Sequence, residues 1–135
     1  MTYDGHAMAA PAMLIDYSSL LYRAFHSMPD TVAMHGVYGF VNMLARLLLD
    51  HRPRELGIAV DDDWRPAFRV EALPSYKAHR VADDDEEDPV APQEAVGREV
   101  LRALGFAVVG APGFEAEDVI ATLAARCRGA VAIVS

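Results

Sequence analysis

The stretch FAVVGAPGFEAEDVIATLAARCRGAVAIV, residues 106–134, runs from one apolar segment through an acidic turn and a helical repeat to a second apolar segment. FAVVG and AVAIV are short, uniformly apolar runs of the kind that form strands buried on both faces. Between them Val119, Ile120, Leu123, Ala124 and Cys127 recur at the spacing of one helix face. Strands that alternate with helices build a mainly parallel sheet with helices packed on both sides, so this stretch sets the fold class as α/β.

The same alternation fills the rest of the chain. AMLI, ending at Asp16, reads as a first strand, and SSLLYRAFHSM as a helix that Ser18 or Ser19 can cap. Val37, Phe40, Val41, Leu44, Leu47 and Leu48 mark a second helix closed before Pro53. LGIAV is a second strand ending at Asp61. Val96, Val100, Ala103 and Leu104 then mark a helix stopped by Gly105. Tyr38, Phe40 and Phe25 sit at helical positions and are expected in the core, as is Cys127.

A chain of 135 residues with 53% hydrophobic composition suits one domain with a buried core. The single cysteine allows no internal disulfide and fits a reducing, cytoplasmic setting. No apolar run approaches the roughly 20 residues that span a bilayer, so no membrane partner is expected. The first 12 residues carry Asp4 and no basic residue, unlike a secretory signal, and read as a disordered leader before a domain over 13–135.

The acids are not scattered. Asp16 follows the first strand, Asp61 to Asp63 the second, and Glu115, Glu117 and Asp118 stand between the third strand and its helix. Ligands of open α/β sheets bind beyond the carboxyl ends of the strands, so all three groups belong on one edge. Carboxylates converging there repel one another unless a cation intervenes, and hard oxygen donors suit Mg²⁺ or Mn²⁺. GFEAEDV alone is better explained by acids favouring a helix start, and a lone Asp after a strand by turn chemistry. The net charge of −8 argues against a nucleic-acid partner at face value. Its distribution matters more: from Trp64 to Arg80, Arg65, Arg69, Lys77 and Arg80 face Glu71 alone, a net of +3, with His79 among them. The run DDDEED over 83–88 reads as a solvated loop.

MLIDYSSLLYRAFHSMPD, GVYGFVNMLARLL, DDDWRPAFRVEALPSYKAHR and APGFEAEDVIATLA, taken in this order, resemble successive blocks of the 5′-nuclease domain of bacterial DNA polymerase I and of stand-alone bacterial flap endonucleases. The resemblance runs from about Met13 to Ser135. It implies a PIN-like, resolvase-like fold and two-metal hydrolysis of DNA at 5′ ends and 5′ flaps, with Mg²⁺ or Mn²⁺. Asp16 matches the family's metal-binding Asp after the first strand. Glu115, Glu117 and Asp118 match its E-A-D-D block, with Glu117 in place of Asp. The second-strand ligand stays open between Asp61, by position after the strand, and Asp62, by counting back from Phe68-Arg69.

Tyr76, Lys77 and Arg80 match an arch through which a single strand passes, the Lys holding the scissile phosphate. Arg65, Arg69 and His79 extend this DNA-binding segment. Two departures stand out: Tyr17 puts bulk where the family usually has a small residue, beside the first ligand, and DDDEED brings negative charge close to the arch. The family pattern continues with a Gly-Asp-x-Asp block that would start where AVAIVS ends, so the domain is expected to be incomplete at its C-terminus and feeble or inactive as a nuclease. The alternatives are a catalytically dead fragment that binds DNA structure and another acidic-pocket protein. A phosphatase of the haloacid-dehalogenase type would want Asp two residues after Asp16, where Ser18 stands; a phosphoacceptor domain is the other form.

Overall fold

The computed structural model describes residues 10–81 and 87–135. Residues 1–9 of the expected leader, and 83–86 of the acidic run, lie outside the described residues. Four strands, β1 (Ala12–Asp16), β2 (Glu55–Ala59), β3 (Val108–Val109) and β4 (Val131–Val134), form one sheet in the order β3-β2-β1-β4 with every pairing parallel. Ala12 already pairs with Glu55 and Val131, so β1 opens inside the segment read as leader. β3 keeps only two residues of FAVVG, as an edge strand held by bonds from the Ile58 and Val60 N–H groups to the Ala107 and Val109 carbonyls.

Side chains alternate across a strand, and this splits the core in two. Met13, Ile15, Ile58 and Val60 face a thick layer of helices α1 (Tyr17–Ser27), α2 (His35–His51) and α5 (Ala91–Ala103). Leu14 and Ala59 face the single helix α6 (Ala116–Arg126), through Ala116, Val119 and Ile120. Helices therefore cover both faces, as the alternation predicts.

Four expectations change in detail. Helix α1 is capped by Asp16 rather than by Ser18 or Ser19: the Asp16 carboxylate accepts the Ser19 N–H at 3.1 Å, because the helix already begins at Tyr17. Helix α5 buries Gln93, Gly97 and Leu101, while Val96 and Leu104 are exposed. The face that packs is the one that makes room for Tyr17, since a Cβ at Gly97 would overlap the Tyr17 hydroxyl. Tyr38 is exposed on the outer face of α2. Cys127, at the end of α6, is half-buried at the rim of its core.

Tyr17 does not crowd the sheet edge. Its ring is fully buried, meets Phe40 edge-on at 5.1 Å, and its hydroxyl donates to the Glu94 carbonyl at 2.7 Å. Gln93 accepts the Gly36 and Val37 N–H groups at 2.7 and 3.3 Å, satisfying donors that the start of α2 leaves open. The short helices α3 (Ala67–Ala72) and α4 (Ala78–Val81) bury no residue and belong to neither core. Among the described residues no helix is long and apolar enough to cross a membrane.

Candidate metal and nucleic-acid site

The chain lays β1, β2 and β3 side by side, then crosses to the far side of β1 to add β4. The reversal leaves a crevice beyond the carboxyl ends of the strands, the usual place for a ligand in such a sheet. A groove of about 1040 Å³ opens there, and Asp16, Asp61, Asp62, Glu115 and Glu117 line it.

Each acid is set by the backbone behind it. Asp16 is the last residue of β1 and the cap of α1. Asp61 stands two residues past the β2 ladder, and its Oδ1 accepts the Ala116 N–H at 2.7 Å, at the start of α6. Asp62 Oδ2 takes the Gly113 N–H at 2.8 Å, on the more exposed side. Glu115 and Asp118 form a capping box, with Asp118 Oδ2 accepting the Glu115 N–H at 3.1 Å. The helix-start role of GFEAEDV and its place at the groove thus coexist.

Electrostatics mark the convergence. Burial pushes the Asp16 carboxyl above its ordinary pKa, and repulsion from Asp61 and Glu117 adds to the rise, against the Ser19 N–H and Lys77. Like charges close enough to be felt in this way favour a cation between them. Among the described residues, however, no three His, Cys, Asp or Glu side chains meet at ligating distance. This donor set fits a hard divalent ion held by one or two carboxylates with water completing its shell, as Mg²⁺ usually is, and not a closed zinc cage.

The basic segment is held by its own side chains. Tyr76 Oη donates to both Glu115 oxygens, at 2.8 and 3.0 Å, and Lys77 Nζ reaches Glu115 Oε1 at 3.1 Å and the Trp64 carbonyl at 2.9 Å. Glu115 is only 1% exposed, so these two groups are what offsets burial of its charge. Burial, then the bond to Glu115, raises the Tyr76 hydroxyl pKa, keeping the proton that makes the bond. Lys77 adopts a left-handed backbone, φ 50°, uncommon for a residue with a side chain.

Not every expected site residue reaches the groove. Lys77 and Arg80 line it; Arg65, Arg69, Tyr76 and His79 do not. Arg65 braces the segment internally, donating to the Tyr76 and Pro74 carbonyls at 2.8 and 3.3 Å. Arg69 pairs with Asp118 at 2.6 Å, and Asp118 does not line the groove. His79 is exposed on α4. Sequence reasoning missed two wall residues, Glu94 and Arg98, although their i, i+4 spacing on a helix was readable.

The fold is shared with solved nuclease structures. T5 5′-exonuclease with bound divalent zinc superposes with a TM-score of 0.69 over 93% of this chain and 48% of its own, at 21% identity. A complex of bacteriophage T5 flap endonuclease with DNA and metal ions gives 0.63 over 85% of this chain and 43% of its own, at 20% identity. Residues 11–135 match the family described as 5′-3′ exonuclease, N-terminal resolvase-like domain, and the chain belongs to that family. A 5′-3′ exonuclease of Streptomyces coelicolor is 47% identical over 91% of this chain, and one of Mycobacterium tuberculosis is 42% identical over 90%. The chain spans 46% and 43% of those two proteins, less than half of either.

Proposed function

We propose that this chain supplies the strand-end carboxylates and part of the phosphate-binding segment of a cytoplasmic, Mg²⁺- or Mn²⁺-dependent 5′-3′ exonuclease and 5′-flap endonuclease acting on DNA. The observation that carries the reading is one groove in which acids from three strand ends face Lys77 and Arg80. Family membership and relatives named 5′-3′ exonuclease support it.

In this reading Asp16 and Asp61 hold the metal directly and Glu117 through water, with Glu115 joining once it exchanges Tyr76 and Lys77 for the ion. Asp61 is preferred over Asp62 because it is the one whose charge Asp16 feels. A bound divalent ion supplies an acidified attacking water and a counter-charge for the leaving oxygen. Lys77 and Arg80 neutralise phosphate at the groove mouth, while Tyr76, its ring flanked by Arg69 and Lys77, holds the segment against Glu115. Asp118 serves as anchor for Arg69 and cap of α6, one bond away from the ligands.

Titration calorimetry with Mn²⁺ tests the site: the parent chain should bind and Asp16→Ala should lose most of the heat. Identical, metal-insensitive traces for both would remove the metal site from the account.

A further inference from the structure

We infer that Arg98, steered by Glu94, is a positioning residue for Asp61, and that Tyr17 and Gly97 are what allow helix α5 to present it. The inference rests on the metal reading above and concerns how one of its ligands is held.

Asp61 has left the β2 ladder, whose last paired residue is Ala59. Two bonds from opposite sides of the sheet fix it. From the α6 side, the Ala116 N–H donates to its carboxylate at 2.7 Å. From the α5 side, Arg98 Nη2 donates to its main-chain carbonyl at 2.9 Å. The carbonyl bond sets the peptide plane from which the side chain departs, and so the direction in which the carboxylate's remaining lone pairs point.

The guanidinium is itself aimed. Arg98 Nε donates to Glu94 Oε1 at 3.0 Å, and Nη2 pairs with the same oxygen one helical turn back. A planar fork bonded on two sides keeps its direction better than a flexible ammonium would. Glu94 is in turn tied to the first strand, because its carbonyl accepts the hydroxyl of Tyr17, the residue directly after Asp16. A run of bonds, Tyr17 to Glu94 to Arg98 to Asp61, therefore couples the ends of β1 and β2 through a helix that donates no ligand of its own. It requires that α5 lie close over the Tyr17 ring, which only a glycine at 97 permits.

An ordinary i, i+4 surface pair would also look like this along the helix, but it would not reach Asp61. Charge must be controlled in the test, because removing Arg98 alone leaves Glu94 unpaired and adds attraction for a cation. The double variant E94Q/R98M removes both charges and leaves the net charge unchanged. Mn²⁺ affinity, read by the loss of the free-ion paramagnetic resonance signal, should fall about tenfold in that variant, the low end of the effect of breaking a bond that orients a ligand. Metal-free melting should move little, and R98K, which keeps one donor for the Asp61 carbonyl, should recover part of the affinity.

Equal Mn²⁺ affinity in parent and E94Q/R98M overturns the inference while leaving the metal site intact. No Mn²⁺ binding by the parent overturns the metal reading itself. Should the double variant melt far below the parent, R98K, which keeps the charge, decides the matter: affinity equal to the parent's again overturns the positioning role.

Discussion

The acidic edge and the basic segment face each other across one groove, yet they are built by different means. Asp16 and Asp61 are carried by two adjacent strands at the centre of a parallel sheet, with fully buried Ile15 and Ile58 beneath them. Residues 64–81 bury only Pro66 and are otherwise fastened by Arg69–Asp118, Tyr76–Glu115 and Lys77–Glu115. The edge is therefore as stable as the domain, whereas the segment is as stable as a few polar bonds whose partners are the acids themselves. In the metal reading proposed above, a cation at Glu115 would compete with the groups that hold the segment down, so metal and segment would share one set of anchors.

Perturbations should separate the two by size. Ile58→Ala cuts the floor beneath the edge and should cost about 2–5 kcal/mol in urea unfolding, with the site lost along with the fold. Tyr76→Phe leaves the buried Glu115 carboxylate short of one donor. It should cost about 1–3 kcal/mol while α6 stays protected in hydrogen exchange and amides of residues 67–81 exchange faster; uniform loss of protection would mean that the segment and the sheet are one unit.

Tyr17 gives a pH test of the sheet side alone. Burial, then the nearby Glu94 charge, raises its pKa well above the ordinary value of 10.0, so above pH 10 the unfolded chain releases a proton that the folded chain keeps. Stability should hold below pH 10 and fall above it by up to about 1.4 kcal/mol per pH unit from this group. Tyr17→Phe should flatten that fall, and an unchanged slope would show the phenol titrating as if exposed. The smallest stability effect belongs to Arg80→Ala, expected within about 0.5 kcal/mol of the parent because the side chain is exposed. Its affinity for a 5′-flapped duplex should nonetheless drop, with the salt slope shallower by about 0.9 for one lost phosphate contact.

The same division governs what the sequence reveals. β1, β2 and their acids are legible because an apolar run that ends in Asp is a local signal, and burial on both faces leaves little choice of register. The start of α1 is legible only to within a few residues, Asp16 replacing Ser18 and Ser19 as cap because the strand passes directly into the helix without a loop, and α5 opens at Ala91, well ahead of Val96. The buried face of α5 is not legible: by hydrophobicity Val96 and Leu104 belong inside, yet Gly97 takes the buried place since its lack of a side chain fits one distant ring. Nor are the roles of Arg65 and Arg69, which read as phosphate ligands by charge but are spent on carbonyls and on Asp118. Long-range side-chain bonds leave no periodic trace in a sequence.

The fit between Tyr17 and Gly97 also limits the routes by which such a chain can change. With Tyr17 in place, any larger residue at 97 overlaps its hydroxyl; with Gly97 in place, a small residue at 17 leaves a hole where a fully buried ring stood. Each single step is penalised, by overpacking of about 1–3 kcal/mol in one direction and by a cavity of about 3–5 kcal/mol in the other. The two positions are therefore coupled: each constrains what the other can become, and the large residue beside the first aspartate favours keeping a gap in the helix opposite.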